Sequence, residues 1–254
     1  MKRIDAFKNR LAEKNAVKII AGIDNFDAER VRNVVTAAHI AGADAVDIAA
    51  SAELIEMVRE ITDMPVFVSS ISPEELAEAV KLGADAIEIG NFDALYKKGL
   101  RMSADEILEI VEATLALINK EEVFVCVTVP GHIAVNEQIE LAKKLEELNI
   151  DLIQTEGAAV ANVNSNGARG LLETAQVSIA NTIELARNVN IPVMTASGIT
   201  TTTSALAFAA GASAVGVGSC VNKLSSVIEM IAMIKNLINT TNSRCEGQVI
   251  GRSQ

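Results

Sequence analysis

The residues of this chain that offer chemistry fall into two sets. The first lies between Thr195 and Ser219, a stretch with no charged side chain. It sets Ser197-Gly198 at one end and Gly216-Val217-Gly218-Ser219 at the other. Glycine lets a backbone N–H approach an anion's oxygens with no Cβ in the way, and a helix starting there adds its dipole. Each charge-assisted hydrogen bond of this kind contributes about 1.5–3 kcal/mol, so several hold a phosphate without a cationic side chain. Ser197, Gly198, Gly218 and Ser219 are therefore the predicted phosphate-binding residues. The competing reading, glycines that only ease close packing, stays open at this point.

The second set is acidic. Four segments echo one another: "AGADAVDIAA" (41–50), "LGADAIEIGN" (82–91), "NIDLIQTEGA" (149–158) and "AGASAVGVGS" (210–219). Aligned, they put Asp47, Glu88, Gln154 and Gly216 at one position, and Gly216 leaves a vacancy there. Two carboxylates and an amide in a packed layer need hydrogen bonds, a metal or an open pocket. Asp47 and Glu88 are the predicted general acid/base groups, sharing one pocket and titrating as a coupled pair with one pKa raised. Glu156, after the third echo strand, and His132, in a loop following "VFVCVTVPG", are further candidates for proton transfer. A buried, fully hydrogen-bonded network is the alternative. Asp24, Asp47, Glu88 and Glu156 together have the oxygens for Mg²⁺, but no tight ligand spacing supports a metal, and none is assigned. Lys18 reads as starting the first strand at the end away from the active face, so Schiff-base chemistry is not expected.

Positioning these groups takes a regular scaffold. Between the echoes lie "AVKIIAGID" (16–24), "MPVFVSSIS" (64–72), "VFVCVTVPG" (123–131) and "IPVMTASGIT" (191–200). All eight runs are rich in β-branched residues and mostly apolar on both faces, the pattern of buried parallel strands. Each is followed by a helical pattern, as in "SPEELAEAVKLG", with Ser72 as N-cap, Pro73 in the first turn and Gly83 past the end. Eight such units in 254 residues predict a single (β/α)8 TIM barrel of the phosphate-binding type. The predicted domain covers residues 1–240, with a polar, disordered tail over 241–254. In such a barrel the active face is at the C-terminal ends of the strands, and a phosphate sits after strands 7 and 8, where the two glycine turns fall.

Two long loops open on the same face. Residues 91–103 gather Lys97, Lys98 and Arg101 beside Tyr96, either to clamp an anion or as a solvated basic turn. Residues 157–170 have the length and glycine content of a lid, with Arg169 placed to close on a ligand.

Composition narrows the function classes. A formal charge of −11 disfavours nucleic acid and anionic membranes as partners. Aromatics are 3% of the residues, so the core must be aliphatic. The three cysteines, at 126, 220 and 245, show no paired spacing, which argues against disulfides and zinc and for a reducing compartment. Residues 204–221 are uncharged but built of Ala, Gly and Ser, so they are not read as a membrane span. The first twenty residues carry charges of both signs and no apolar run, so neither a secretory signal nor a transit peptide is expected.

The segments "KIIAGIDNFD", "VDIAA", "IEIGNFD", "TVPGH", "IQTEGA", "ASGIT" and "GVGSCVNKL" resemble the hypothetical chloroplast open reading frame twenty-three family. These are TIM-barrel proteins of cyanobacteria and algal plastids. The likeness runs from about residue 15 to 238. It implies the barrel and a location in the chloroplast stroma, or in the cytoplasm of a cyanobacterium. It implies no reaction.

The residues predict an enzyme, a lyase or isomerase, that acts on a small phosphorylated metabolite by carboxylate acid/base catalysis. Two other classes remain open: a catalytically silent sensor or scaffold for a phosphate ligand, and flavin mononucleotide binding at the same phosphate grip. No cofactor is assigned, and the sequence leaves open both the substrate and whether the protein is a homo-oligomer.

Overall fold

The computed structural model describes residues 2–96, 98–157 and 166–250. Eight parallel strands close into a barrel in sequence order. They are β1 Ala16–Ile20, β2 Ala45–Ala49, β3 Val66–Ser70, β4 Ala86–Ile89, β5 Phe124–Val129, β6 Leu152–Thr155, β7 Val193–Thr195 and β8 Ala214–Val217. Each lies inside one of the eight apolar runs. Helices surround the barrel, and local signals set their ends. Ser72 caps the helix Pro73–Lys81 by accepting from Glu75 N–H at 3.3 Å. Asp27 caps Ala28–Ala41, which stops at Gly42 in the left-handed region at φ 82°.

The strands bury both faces. Outward residues such as Val17, Ile19, Val46 and Ile48 pack against the helices. The lowest inward layer sets Ala16, Ala45, Ala86 and Ala214 among Phe67, Phe124, Leu152 and Met194. The N-terminal helix Arg3–Ala12 plugs this end with Ile4, Phe7 and Leu11. Phe7 meets Phe67 and Phe124 edge-on, with ring centroids 5.1 and 6.1 Å away. Three of the chain's six phenylalanines meet here, so the scarce aromatic volume is concentrated where a barrel bottom must be sealed. A buried Phe of this kind contributes about 3–5 kcal/mol relative to Ala.

The last helix, Val227–Ile250, runs into the stretch predicted as a tail. Met230, Ile234, Leu237 and Thr241 are all buried at helical spacing, and the helix packs along Ala28–Ala41. Thr241 satisfies its hydroxyl on Leu237 O at 3.0 Å. The backbone stays helical to Ile250. Residues 251–254 lie outside those described. Among the described residues no helix is long and apolar enough to cross a membrane.

Candidate functional site

Above the aromatic plug the barrel interior turns polar. Asp47 and Glu88 do share one buried layer, as the echo predicts, but Lys18 joins them. Lys18 Nζ stands 3.2 Å from Asp47 Oδ2 and also donates to Glu88 Oε2, and all three side chains are fully buried. Ser69 donates to Asp47 at 2.7 Å, while Gln154 and Thr128 donate to Glu88 at 2.6 and 3.2 Å. Lys18 lies on β1 below the active face, as expected, yet its ammonium reaches the two acids. Its backbone pairs with Gly216 and Ala45, low in the barrel, and its four methylenes carry the ammonium up to the acids. The Phe67 ring lies 4.8 Å below the nitrogen.

Electrostatics in this layer are a contest between burial and pairing. Burial pulls the Lys18 ammonium down, but Glu88 and Asp47 together outweigh it and hold it above the usual lysine value. Burial pushes Asp47 up to about 7, with Lys18 opposing and Glu88 reinforcing. The vacancy expected at Gly216 is absent. A Cβ there would stand 3.0 Å from Ala196 Cβ and from Ile20 Cδ1, and 3.1 Å from Gln154 Oε1.

The cavity lies one level higher, at the C-terminal ends of the strands, with a volume of about 540 Å³. Ile20, Asn91 and Gln154 form its floor; Asp47 and Glu88 are not among its lining residues. These acids therefore sit beneath the site, and the acid pair expected to face a ligand is corrected to a support for its floor. Asn91 makes the connection, donating to Ser69 Oγ at 3.0 Å and accepting from Gln154 Nε2 at 2.8 Å. The carboxylates on the cavity itself are Asp24, Asp93 and Glu156.

Glu156 is the carboxyl best placed for proton transfer. It is 2% exposed and follows β6. Its Oε1 accepts from the Tyr96 hydroxyl and from Gly131 N–H at 3.3 Å, and its Oε2 accepts from Asp93 N–H at 3.1 Å. Burial first, and then the neighbouring Asp93, push it up to about 8, against the pull of these donors. His132 stands behind, with Nδ1 2.9 Å from Tyr96 Oη. The donor in this hydrogen bond is set by the tautomer of the imidazole. Burial and then Arg101 lower His132 below the usual value, which favours the neutral ring. His132 thus reaches the cavity through Tyr96 and Glu156 rather than directly.

Ser197, Gly198, Gly218 and Ser219 all line the same cavity. The two glycines are there for different reasons. Gly198 has φ +76°, and a Cβ would lie 2.7 Å from Thr174 O of the helix Gly167–Asn188, so packing alone requires glycine. Gly218 has φ −118° and meets nothing closer than Ile20 O at 3.4 Å. Neither strain nor crowding demands it, and its bare Cα leaves the cavity wall open. Ser197 holds φ +70°, a conformation that costs a non-glycine residue about 1–2 kcal/mol. It is tied down by donating to Asp93 Oδ2 and by accepting from Ser178 Oγ at 2.8 Å.

The remaining predicted groups separate. Lys98 pairs with Asp24 at 3.1 Å on the cavity rim, while Arg101 lies over the Tyr96 ring at 5.1 Å. Lys97 and residues 158–165 of the expected lid lie outside the described residues. Arg169 is exposed and bonded to Glu173 at 2.6 Å. Among the described residues no three His, Cys, Asp or Glu side chains converge as metal ligands. Asn222, which sequence reasoning passed over, lines the cavity and donates to Ile20 O at 3.0 Å. Its signal was only its place three residues after the Gly218-Ser219 turn. Gln154 Oε1 and Asn222 Oδ1 are buried with no partner, a state that costs about 1–3 kcal/mol for each acceptor.

A model of a protein family described as "Protein of unknown function (DUF561)" matches residues 2–246. The chain belongs to the DUF561 family. Relatives include the uncharacterized protein ycf23 of Cyanophora paradoxa, 40% identical over 237 residues, covering 93% of this chain and 95% of that one. The ycf23 protein of Pyropia yezoensis is 36% identical over 222 residues, covering 87% and 81%. Among solved structures, the barrel of this DUF561 chain is similar to 3-hexulose-6-phosphate synthase from Salmonella typhimurium. That match has TM-score 0.65 and 11% identity, and covers 90% and 99% of the two chains. It is also similar to orotidine 5'-phosphate decarboxylase from Pyrococcus horikoshii, with TM-score 0.59, 13% identity and coverage of 87% and 99%. At such identities the likeness establishes the TIM-barrel fold.

Proposed function

We propose that this protein is an enzyme, a lyase or isomerase, that acts on a phosphorylated small metabolite at the C-terminal mouth of the barrel. The phosphate lies against the backbone of Ser197-Gly198 and Gly218-Ser219, and Glu156 exchanges a proton with the substrate. One observation carries the reading: a carboxyl raised to about 8 shares a cavity with both glycine turns. A general acid or base works best when its pKa lies near the working pH. Held neutral, Glu156 also removes a negative charge from the neighbourhood of an incoming anion. The two similar solved structures are enzymes named for phosphate-bearing compounds, which supports the same ligand class. The working location that goes with this reading is the plastid stroma, or the cytoplasm in a cyanobacterium.

The test is proton exchange. A panel of phosphorylated sugars is incubated with the protein in D2O and followed by proton NMR. The parent should exchange hydrogen beside a carbonyl or convert the sugar, and Glu156→Gln should slow this by at least about 100-fold. The sensor or scaffold reading has one observation in its favour, the fully bonded Asp47–Lys18–Glu88 layer. A bound sugar phosphate that neither exchanges nor changes would establish that reading instead.

A further inference from the structure

The hydrogen-bonding character of the cavity wall is lopsided. Gln154 is 1% exposed, and its Nε2 is committed to Glu88, Asn91 and Thr128 at 2.6, 2.8 and 3.0 Å. That leaves Oε1 as an acceptor with no protein partner, on a residue that lines the cavity. Asn222 repeats the arrangement: Nδ2 donates to Ile20 O and Ala21 O at 3.0 and 3.3 Å, and Oδ1 is left without a partner. Asn91 and Ser197 likewise spend their donors inside the protein, on Ser69 and Asp93. Among the described residues no Lys, Arg or His lines the cavity, whereas the carboxylate of Asp24 does. Away from the phosphate turns, the side chains thus present acceptors and withhold donors.

We infer that the end of the ligand remote from the phosphate is a polyol, with several hydroxyls that donate to Gln154 Oε1, Asn222 Oδ1 and Asp24. This rests on the phosphate reading above. The acceptors come from different sides of the mouth: the loop after β1, strand β6, and the short helix Ser219–Asn222 after β8. A single ammonium group gathers its donors on one nitrogen and cannot serve acceptors spread in this way. Separate hydroxyls along a carbon chain or ring can. An apolar chain of the same length would leave every one of these acceptors unpaired, and sites built to bond a hydroxyl reject analogues that lack it strongly.

Calorimetric titration of the full chain tests this with inorganic phosphate, ribose 5-phosphate, n-pentyl phosphate, 5-aminopentyl phosphate and free ribose. Ribose 5-phosphate should bind at least ~100-fold more tightly than n-pentyl phosphate. Asn222→Leu should weaken ribose 5-phosphate by about tenfold, the loss of one hydroxyl's bond, and leave inorganic phosphate within about twofold. Asp24→Ala, on the exposed rim, makes the same comparison if Asn222→Leu does not fold. Equal binding of the pentyl ester, or tightest binding of the aminopentyl ester, overturns the inference. If no phosphate compound binds but free ribose does, and weakens in the variants, the phosphate reading fails and the polyol inference stands. Binding of ribose in neither form overturns the inference.

Discussion

Lys18 Nζ lies 3.2 Å from Asp47 Oδ2 with neither side chain exposed to water, and the same nitrogen donates to Glu88. One cation faces two carboxyls, so the layer carries a surplus negative charge unless an acid keeps its proton. Asp47, pushed up to about 7 by burial, is the acid that does so near neutrality. This pairing converts two costly buried acids into a rigid floor for the cavity above.

Removing the cation should therefore be severe. Lys18→Met leaves two carboxyls buried with no counter-charge and is expected to cost about 3–5 kcal/mol in urea denaturation. Adding Glu88→Gln to the same chain should recover most of that loss, because the remaining acid can stay protonated. A Lys18→Met protein as stable as the parent would show that the ammonium does not hold the layer together.

Stability should also fall as pH rises. The folded values of Asp47 and Glu156, about 7 and about 8, lie above the ordinary carboxylate range near ~4. Between those limits the native protein holds protons that the unfolded chain has released, so stability decreases with rising pH. The contribution is fully present below pH ~4 and is lost by pH about 8. Thermal melts from pH 5 to 8.5 should show Tm dropping, and Glu156→Gln should flatten the upper part of that curve. A Tm that rises over this range would contradict the assignment.

The two glycine turns should respond differently to substitution. Gly198→Ala places a Cβ 2.7 Å from Thr174 O on a residue at φ +76°, so it should destabilise the fold. At Gly218 the backbone is ordinary and the nearest atom is 3.4 Å away. Gly218→Val should therefore keep the parent's circular dichroism and melt within a few degrees of it, yet lose measurable binding of sugar phosphates and sulfate. Retained binding by Gly218→Val would remove this turn from the phosphate site.

The barrel was legible because its signals are local and repeated. Eight apolar runs, each followed by a helical pattern, leave little room for another architecture. The echo also placed Asp47, Glu88 and Gln154 in one layer, since alternate strands of a barrel contribute to common levels. Lys18 was not joined to that layer because its backbone belongs to a lower level, and only side-chain length brings its ammonium to the acids. Gly216 was misread because a missing side chain looks like space in a sequence, whereas Ile20, Ala196 and Gln154 close in around it. Neither composition nor spacing distinguishes the two roles of Gly198 and Gly218, because the backbone angle and the neighbouring helix decide them. The chain from Glu156 through Tyr96 to His132 joins residues that follow three different strands, which no periodic pattern records.

The most direct test of the central claim is an amide NMR titration of ¹⁵N-labelled protein with ribose 5-phosphate. The account predicts that the backbone N–H signals of Gly198, Gly218 and Ser219 shift together and saturate at one ligand per chain, and that these shifts vanish in Gly218→Val. If those three amides stay fixed while the ligand binds elsewhere, or if no signal moves, the C-terminal mouth of this barrel is not a phosphate site.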